Sequence, residues 1–194
     1  MSDDFSETAI EAKEKDRTVA LIIAILALLL ALSEAGAKRA QHLSSESNVE
    51  ASDLFNFYQA KRVRSAVAET AAELLEAEKA AVSDAKAQEA YDKQIEAFKA
   101  TVARYEHDPK KPDDSMDAIQ KRADQAIETR EMANHRLERY ELGSGLAQIA
   151  IVLASAAIIT NIAALIWFSV GLGAIAAVLT ALGFFAPTAL AFLG

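Results

Sequence analysis

Three imidazoles and a scattering of carboxylates are the side chains here best equipped for chemistry. His42, His107 and His135 stand far apart, and none sits in a His-Glu-x-x-His or comparable metal pattern. On a helix Glu131, His135 and Glu138 would share a face, loosely paralleling the Glu-x-x-His pairs of carboxylate-bridged di-iron bundles. The order is reversed and there is no second copy, so a solvated charged face is the plainer reading. Cysteine is absent, which excludes disulfides, Cys-based zinc sites and thiol catalysis. Neither a Gly-rich phosphate loop nor a nucleophile elbow occurs. We therefore expect no catalytic residue, no cofactor, no metal and no enzymatic activity. The rival, a carboxylate-metal enzyme at His135, would be disposed of by metal analysis of the purified protein.

The distribution of charge says more. Of the 194 residues 52% are hydrophobic and 25% charged, but the two kinds are segregated: residues 143–194 contain no Asp, Glu, Lys or Arg. The net charge of −8 excludes a nucleic-acid surface, which needs clustered cations whose counterions are released. In lipid every backbone polar group must be satisfied internally, so a charge-free apolar run of about 20 residues is best accommodated as a spanning helix. Residues 143–194 are long enough for two, turning either at Thr160-Asn161 or in the stretch from Val170 to Gly173. We place the turn at the first, giving spans over 143–161 and 164–186, with Trp167 near a headgroup level and a tail over 187–194.

A first span is expected over 18–37, after an acidic tail at 1–17. Its uninterrupted apolar run, 19–32, also fits a signal-peptide core, and Ala35-Gly36-Ala37 matches a cleavage pattern. The long acidic lead-in argues for a retained anchor instead. In the last span Gly173, Ala177 and Ala181 recur on one face, as Ala150 and Ala154 do in the span before it; such small residues are candidate helix-packing positions.

Residues 38–142 read as a charged helical domain. From 47 to 106 there is neither Pro nor Gly, and Ser47 with Glu50 forms a capping box that would start a helix. Pro109 and Pro112 break the pattern, so the turn of a hairpin is expected at 107–114, with Asp114 or Ser115 capping the next helix. Tyr91, Ile95, Phe98, Val102 and Tyr105 on one side of that turn follow a three-four alternation. So do Met116, Ile119, Ala123, Ala126, Ala133, Leu137 and Tyr140 on the other, and the two stripes could zip together. Upstream, the first seam thins to Ala77, Ala81, Asp84 and Gln88.

Length contradicts a straight hairpin closed there. As single helices, 47–106 would measure about 90 Å and 115–142 about 42 Å. We therefore expect residues 48–67 to lie along the membrane or to fold back beside the bundle. Phe55, Phe57 and Tyr58 with Lys61, Arg62 and Arg64 suit an interfacial helix facing anionic headgroups; equally, the aromatics would serve as bundle core.

Asn48-Val-Glu-Ala-Ser-Asp-Leu-Phe-Asn-Phe-Tyr-Gln-Ala-Lys61, with Leu146-Ala-Gln-Ile-Ala-Ile-Val-Leu-Ala-Ser155, resembles the bacterial membrane-protein family known as domain of unknown function 4337 (DUF4337). The resemblance covers most of the chain in order. It implies a retained first helix and a turn near Thr160, where relatives tend to carry a basic cluster that this chain lacks. It carries no activity with it. It also makes Asp53, Tyr58, Gln59 and Lys61 the best candidates for a specific interaction, Asp53 and Lys61 being about two helical turns apart.

The expected fold is thus all-α, with three transmembrane helices and an extramembrane, coiled-coil-like antiparallel helical hairpin between the first and second. The expected function is a membrane-anchored helical scaffold or protein-interaction module, self-associating or bound to an unidentified protein partner. Candidate interaction or interfacial residues are Asp53, Phe55, Tyr58, Gln59, Lys61, Arg62 and Arg64. The alternative is a small pore or transport component, for which Gln148, Ser155, Thr160, Asn161 and Thr180 are the sparse polar candidates. Lys13, Lys15 and Arg17 before the first span outnumber Lys38 and Arg39 after it. That places the N-terminus in the cytoplasm and the hairpin in the periplasm of a bacterial inner membrane, although Arg130, Arg136 and Arg139 pull the other way.

Overall fold

The structure, a computed structural model, describes residues 17–189 and the backbone of the first helix back to Ser2. Met1, the side chains of the acidic lead-in before Arg17, and residues 190–194 of the expected C-terminal tail lie outside the described residues. Four α-helices follow in order: α1 (Ser2–Lys79), α2 (Ala85–Glu106), α3 (Met116–Thr160) and α4 (Ala163–Phe185), with one 3-10 turn at Pro112–Asp114. α1, α3 and α4 are long and apolar enough to cross a membrane. Two compact units divide the chain. One comprises residues up to Ser45 and from Arg130, the other Glu46–Thr129.

In the first unit α1 buries Val19, Leu26, Ser33 and Ala40, a heptad-spaced line that keeps one face of a helix turned to the same neighbours. α3 answers with Ala147, Ala150, Ala154 and Ala157, so its backbone approaches closely. α4 buries Ser169, Gly173, Ala176 and Gly183. Of the three small residues expected to form one packing face on α4, only Gly173 is buried; Ala177 and Ala181 are exposed. A helix turns 100° per residue, so four-residue steps drift off a face that Ser169, Gly173, Ala176 and Gly183 hold by alternating fours, threes and sevens. The large apolar side chains Leu21, Leu28, Val152, Phe168 and Val178 point outward, as a lipid solvent would require.

α3 ends at Thr160, and Asn161 takes φ 58°, a left-handed conformation that Asn tolerates better than most residues. α4 then runs through Gly171 and Gly173 without a break, so the second turning place is helix. Gly36, within the apparent cleavage pattern, is also helix interior.

In the second unit α1 passes through Ser47 without a break, so the capping box there starts no helix. The backbone N-H groups it would have capped are already bonded within α1. The break falls later. Ala80, Ala81 and Val82 close turns onto Glu76, Glu78 and Lys79, and Asp84 in extended conformation accepts a bond from the Ala87 N-H at 3.0 Å. Gln88 donates back to the Val82 carbonyl at 2.7 Å. Asp84 and Gln88 are therefore cap and brace, not members of a seam.

The contacts that follow correct the expected turn at 107–114. Lys79 meets Asp92, Lys99 meets Glu76 at 2.6 Å, Lys61 meets the Asp114 carbonyl, Leu54 packs on Ile119, and Arg122 stands 4.0 Å from Glu50. Reading down α1, the partners advance steadily through α2, the Pro-containing connection and α3. The chain reverses at Ala80–Asp84, whereas the connection merely hands one helix to the next along the same neighbour. The α2 and α3 stripes consequently face α1, not each other. This also removes the length conflict, since 47–106 is two helices and not one.

The shared neighbour is a three-four line on α1: Ser47, Ala51, Leu54, Tyr58, Lys61, Ser65, Ala68 and Ala72, all buried or half-buried. On α2, Ile95 is buried and Tyr91, Phe98, Val102 and Tyr105 half-buried. On α3, Met116, Ile119, Ala123 and Ala126 are buried.

Candidate functional site

The candidate interaction residues fall on about three turns of α1 opposite the start of α3. Leu54, Ile119 and Ala123 form a buried cluster, with Tyr58 packed against it. Ser115 caps α3: its hydroxyl accepts from the Ala118 N-H at 3.3 Å and donates to the Pro112 carbonyl at 2.7 Å. Lys61 donates from Nζ to the adjacent Asp114 carbonyl, and its ammonium lies 4.9 Å from the Phe57 ring centroid. A cation held by a carbonyl and an aromatic face has lost freedom to reach elsewhere. Tyr58 and Lys61 thus join α1 to the start of α3.

The other candidates do not join this group. Asp53 is exposed beside an open cleft of about 460 Å³, where Glu46, Glu50 and Arg122 also stand. Asp53 and Lys61 therefore address different neighbours. Gln59, Arg62 and Arg64 are exposed, and Phe55 is more than a third exposed. Residues 48–67 contain no bend: Leu54 and Tyr58 take the core role, while Phe55 and Phe57 face outward.

Further along the unit, Lys99 gives Glu76 a hydrogen bond at 2.6 Å, and that bond, with the carboxylate's charge behind it, holds the ammonium above its usual pKa. His135 is half-buried while Glu131 and Glu138 are exposed, and among the described residues no three His, Asp or Glu side chains gather as a metal cluster.

Sequence reasoning missed a second group, in the unit that holds the three apolar segments. The Tyr140 ring lies between two glycines: a Cβ added at Gly36 would stand 2.7 Å from its Cε1, and one added at Gly183 3.2 Å from the same atom. Beside this clamp a cleft of about 390 Å³ is lined by Arg39 and Arg136 among others. The available signals were Gly36 and Gly183 in otherwise helical runs and the arginines just before the charge-free stretch.

Two helix systems, three apolar spans and the Tyr58-to-Lys61 junction are the features against which known proteins can be compared. The sequence profile of the family described as Domain of unknown function (DUF4337) matches residues 15–186. The chain belongs to that family. DUF4337 carries no assigned activity in its description, and the match takes in all three apolar helices, the Asn48-to-Lys61 motif and the reversal at Ala80–Asp84. No curated protein and no solved structure matches this DUF4337 member.

Proposed function

We propose that this protein is a membrane-anchored helical scaffold, without catalytic activity, whose extramembrane helices dock a second copy or another protein. In this reading the water-exposed part is an antiparallel, coiled-coil-like hairpin closed at Ala80–Asp84. The carrying observation is a row of apolar side chains left uncovered on α1. Val63, Val67 and Leu74 are 63%, 65% and 59% exposed and fall within about 40° of one another around the helix. Val49 and Ala60 extend the row. An uncovered apolar row beside charged residues, in the one unit that holds no spanning segment, is what a partner helix recognises.

The polar side chains of the apolar helices support this reading over a pore. Ser33 and Thr180 bond to each other, Ser169 bonds to the Ala150 carbonyl, and Ser155 and Thr160 bond back within α3. Gln148 is exposed on the outer surface, where it serves helix association better than conduction. The reading also places the protein in a bacterial inner membrane with the N-terminus cytoplasmic, on the count of Lys13, Lys15 and Arg17 against Lys38 and Arg39.

The test is photo-crosslinking in native membranes from position 67, with position 93 on α2 as control. A discrete adduct from 67 alone supports docking, and its mass tells a second copy from a different partner. No adduct from 63, 67 or 74, together with ion flux in reconstituted liposomes, would replace the scaffold by the pore. Because the chain has no native cysteine, labelling of Ser2→Cys and Lys110→Cys in intact cells reports the orientation directly.

A further inference from the structure

The cleft beside Tyr140 is built where the apolar runs of α1 and α3 give way to charge and α4 ends. Arg39 follows the apolar run of α1, Arg136 and Arg139 precede that of α3, and Phe184 lies at the end of α4. Gly36, Arg39, Arg136, Tyr140, Gly183 and Phe184 line the cleft, which therefore sits at the depth of lipid headgroups.

Its electrostatics are unbalanced. The Nε atoms of Arg136 and Arg139 are buried and have no hydrogen-bond partner. Arg139, only 9% exposed, packs against the cleft wall, its Cβ being 3.2 Å from a Cβ added at Gly183. Among the described residues no carboxylate pairs with Arg39, Arg136 or Arg139. Burying guanidinium N-H groups without acceptors is costly, and an anion with several oxygens would satisfy such donors. Their fork geometry suits a phosphate. The remaining wall is apolar and aromatic, which suits a phosphate that arrives attached to acyl chains.

We propose that this cleft binds the phosphate group of an anionic phospholipid from the surrounding leaflet. Arg136 and Arg39 supply charge-assisted donors, Arg139 supplies charge from behind Gly183, and the clamped Tyr140 ring holds the wall in place.

The experiment uses the full-length protein purified in detergent, with native mass spectrometry counting bound phosphatidylglycerol against phosphatidylcholine. The wild type should retain phosphatidylglycerol preferentially, and Arg136→Gln should weaken retention about tenfold or more. Arg39→Gln, at the exposed rim, tests the site independently of folding and should weaken retention several-fold; Lys110→Gln, in the other unit, should change nothing. Equal retention of the two lipids, or retention unchanged in both arginine variants, overturns the proposal. So does displacement of phosphatidylglycerol by millimolar inorganic phosphate, which would show a site for the free oxyanion instead of the lipid.

Discussion

Ser33 on α1 and Thr180 on α4, 147 residues apart, share a hydrogen bond of 2.7 Å between their hydroxyls. Leu26 against Gly173, and Gly36 with Gly183 on the two sides of Tyr140, repeat the same offset, so α1 and α4 run parallel in fixed register. Hydroxyls facing each other inside an apolar bundle fix that register more narrowly than dispersion alone, because sliding by a turn gives up the bond between them. Gly143 leaves the room: a Cβ there would stand 2.7 Å from the Thr180 hydroxyl.

A double-mutant cycle of Ser33→Ala and Thr180→Val should return a coupling of about 0.6 kcal/mol, and no more than about 1.7 kcal/mol. Each hydroxyl also bonds a carbonyl of its own helix, Leu29 or Ala176, so neither is orphaned when the other is removed. Thermal unfolding in detergent measures the term. A coupling indistinguishable from zero would mean the hydroxyls do not hold the register.

Gly36→Ala and Gly173→Ala should differ although both introduce close contacts. At Gly36 the new methyl meets the Tyr140 ring, whose retreat is restricted by the close approach of Gly183. At Gly173 it meets only the free end of Leu26, which can rotate away. We expect a loss of about 1–3 kcal/mol for the first and under about 1 kcal/mol for the second. Thermal midpoints of the two variants in one detergent decide it, and equal midpoints would refute the clamp.

Lys61→Met keeps the half-buried stem and removes the donor to Asp114. The start of α3 should loosen by about 1 kcal/mol, below the roughly 1.5–3 kcal/mol of a buried charged hydrogen bond because the site is partly open to water. Hydrogen exchange should quicken at Met116–Ile119 and hold at Ile95. Uniform quickening of both would show that Lys61 acts on the whole unit and not at this junction.

Asp84→Ala removes the cap on which the chain reversal rests. Loss of one such cap costs about 1 kcal/mol, and the first turn of α2 should fray while Lys99 and Glu76 stay paired. Amide exchange at Ala87 and Gln88 is the readout. No change there would place the reversal under the control of packing alone.

The spans were legible because lipid imposes a length and a composition that nothing else in the chain meets. Thr160-Asn161, the most polar dipeptide of the charge-free stretch, marked the break between the last two spans. The core stripe of α3 was legible too: Met116, Ile119, Ala123, Ala126, Ala133 and Tyr140 are all buried. What hid the partnership was its other half. Ser47, Ala51, Ser65, Ala68 and Ala72 carry the line on α1, and in a chain so rich in alanine a seam of small residues cannot be told from its background. The reversal was hidden because Ala80-Ala-Val-Ser-Asp84 has no Pro or Gly, so only the cap geometry of Asp84 separates it from helix. The prolines, by contrast, signalled a break without revealing that the chain continues in the same direction after it. The candidate site was half legible. The motif marked Tyr58 and Lys61, but nothing before the fold was known brought Arg39, Arg136 and Gly183 together.

Between Lys61 and Glu76 on α1 lie as many residues as between Lys99 and Asp114 opposite, although the second interval includes a non-helical connection. The connection thus keeps count as helix would. Excising one heptad from α1 and one from its opposite number would preserve every surviving pair and bring the next into place. Such an arrangement works as a ruler with a coarse scale, which only matched steps on the two sides would shorten or lengthen in register.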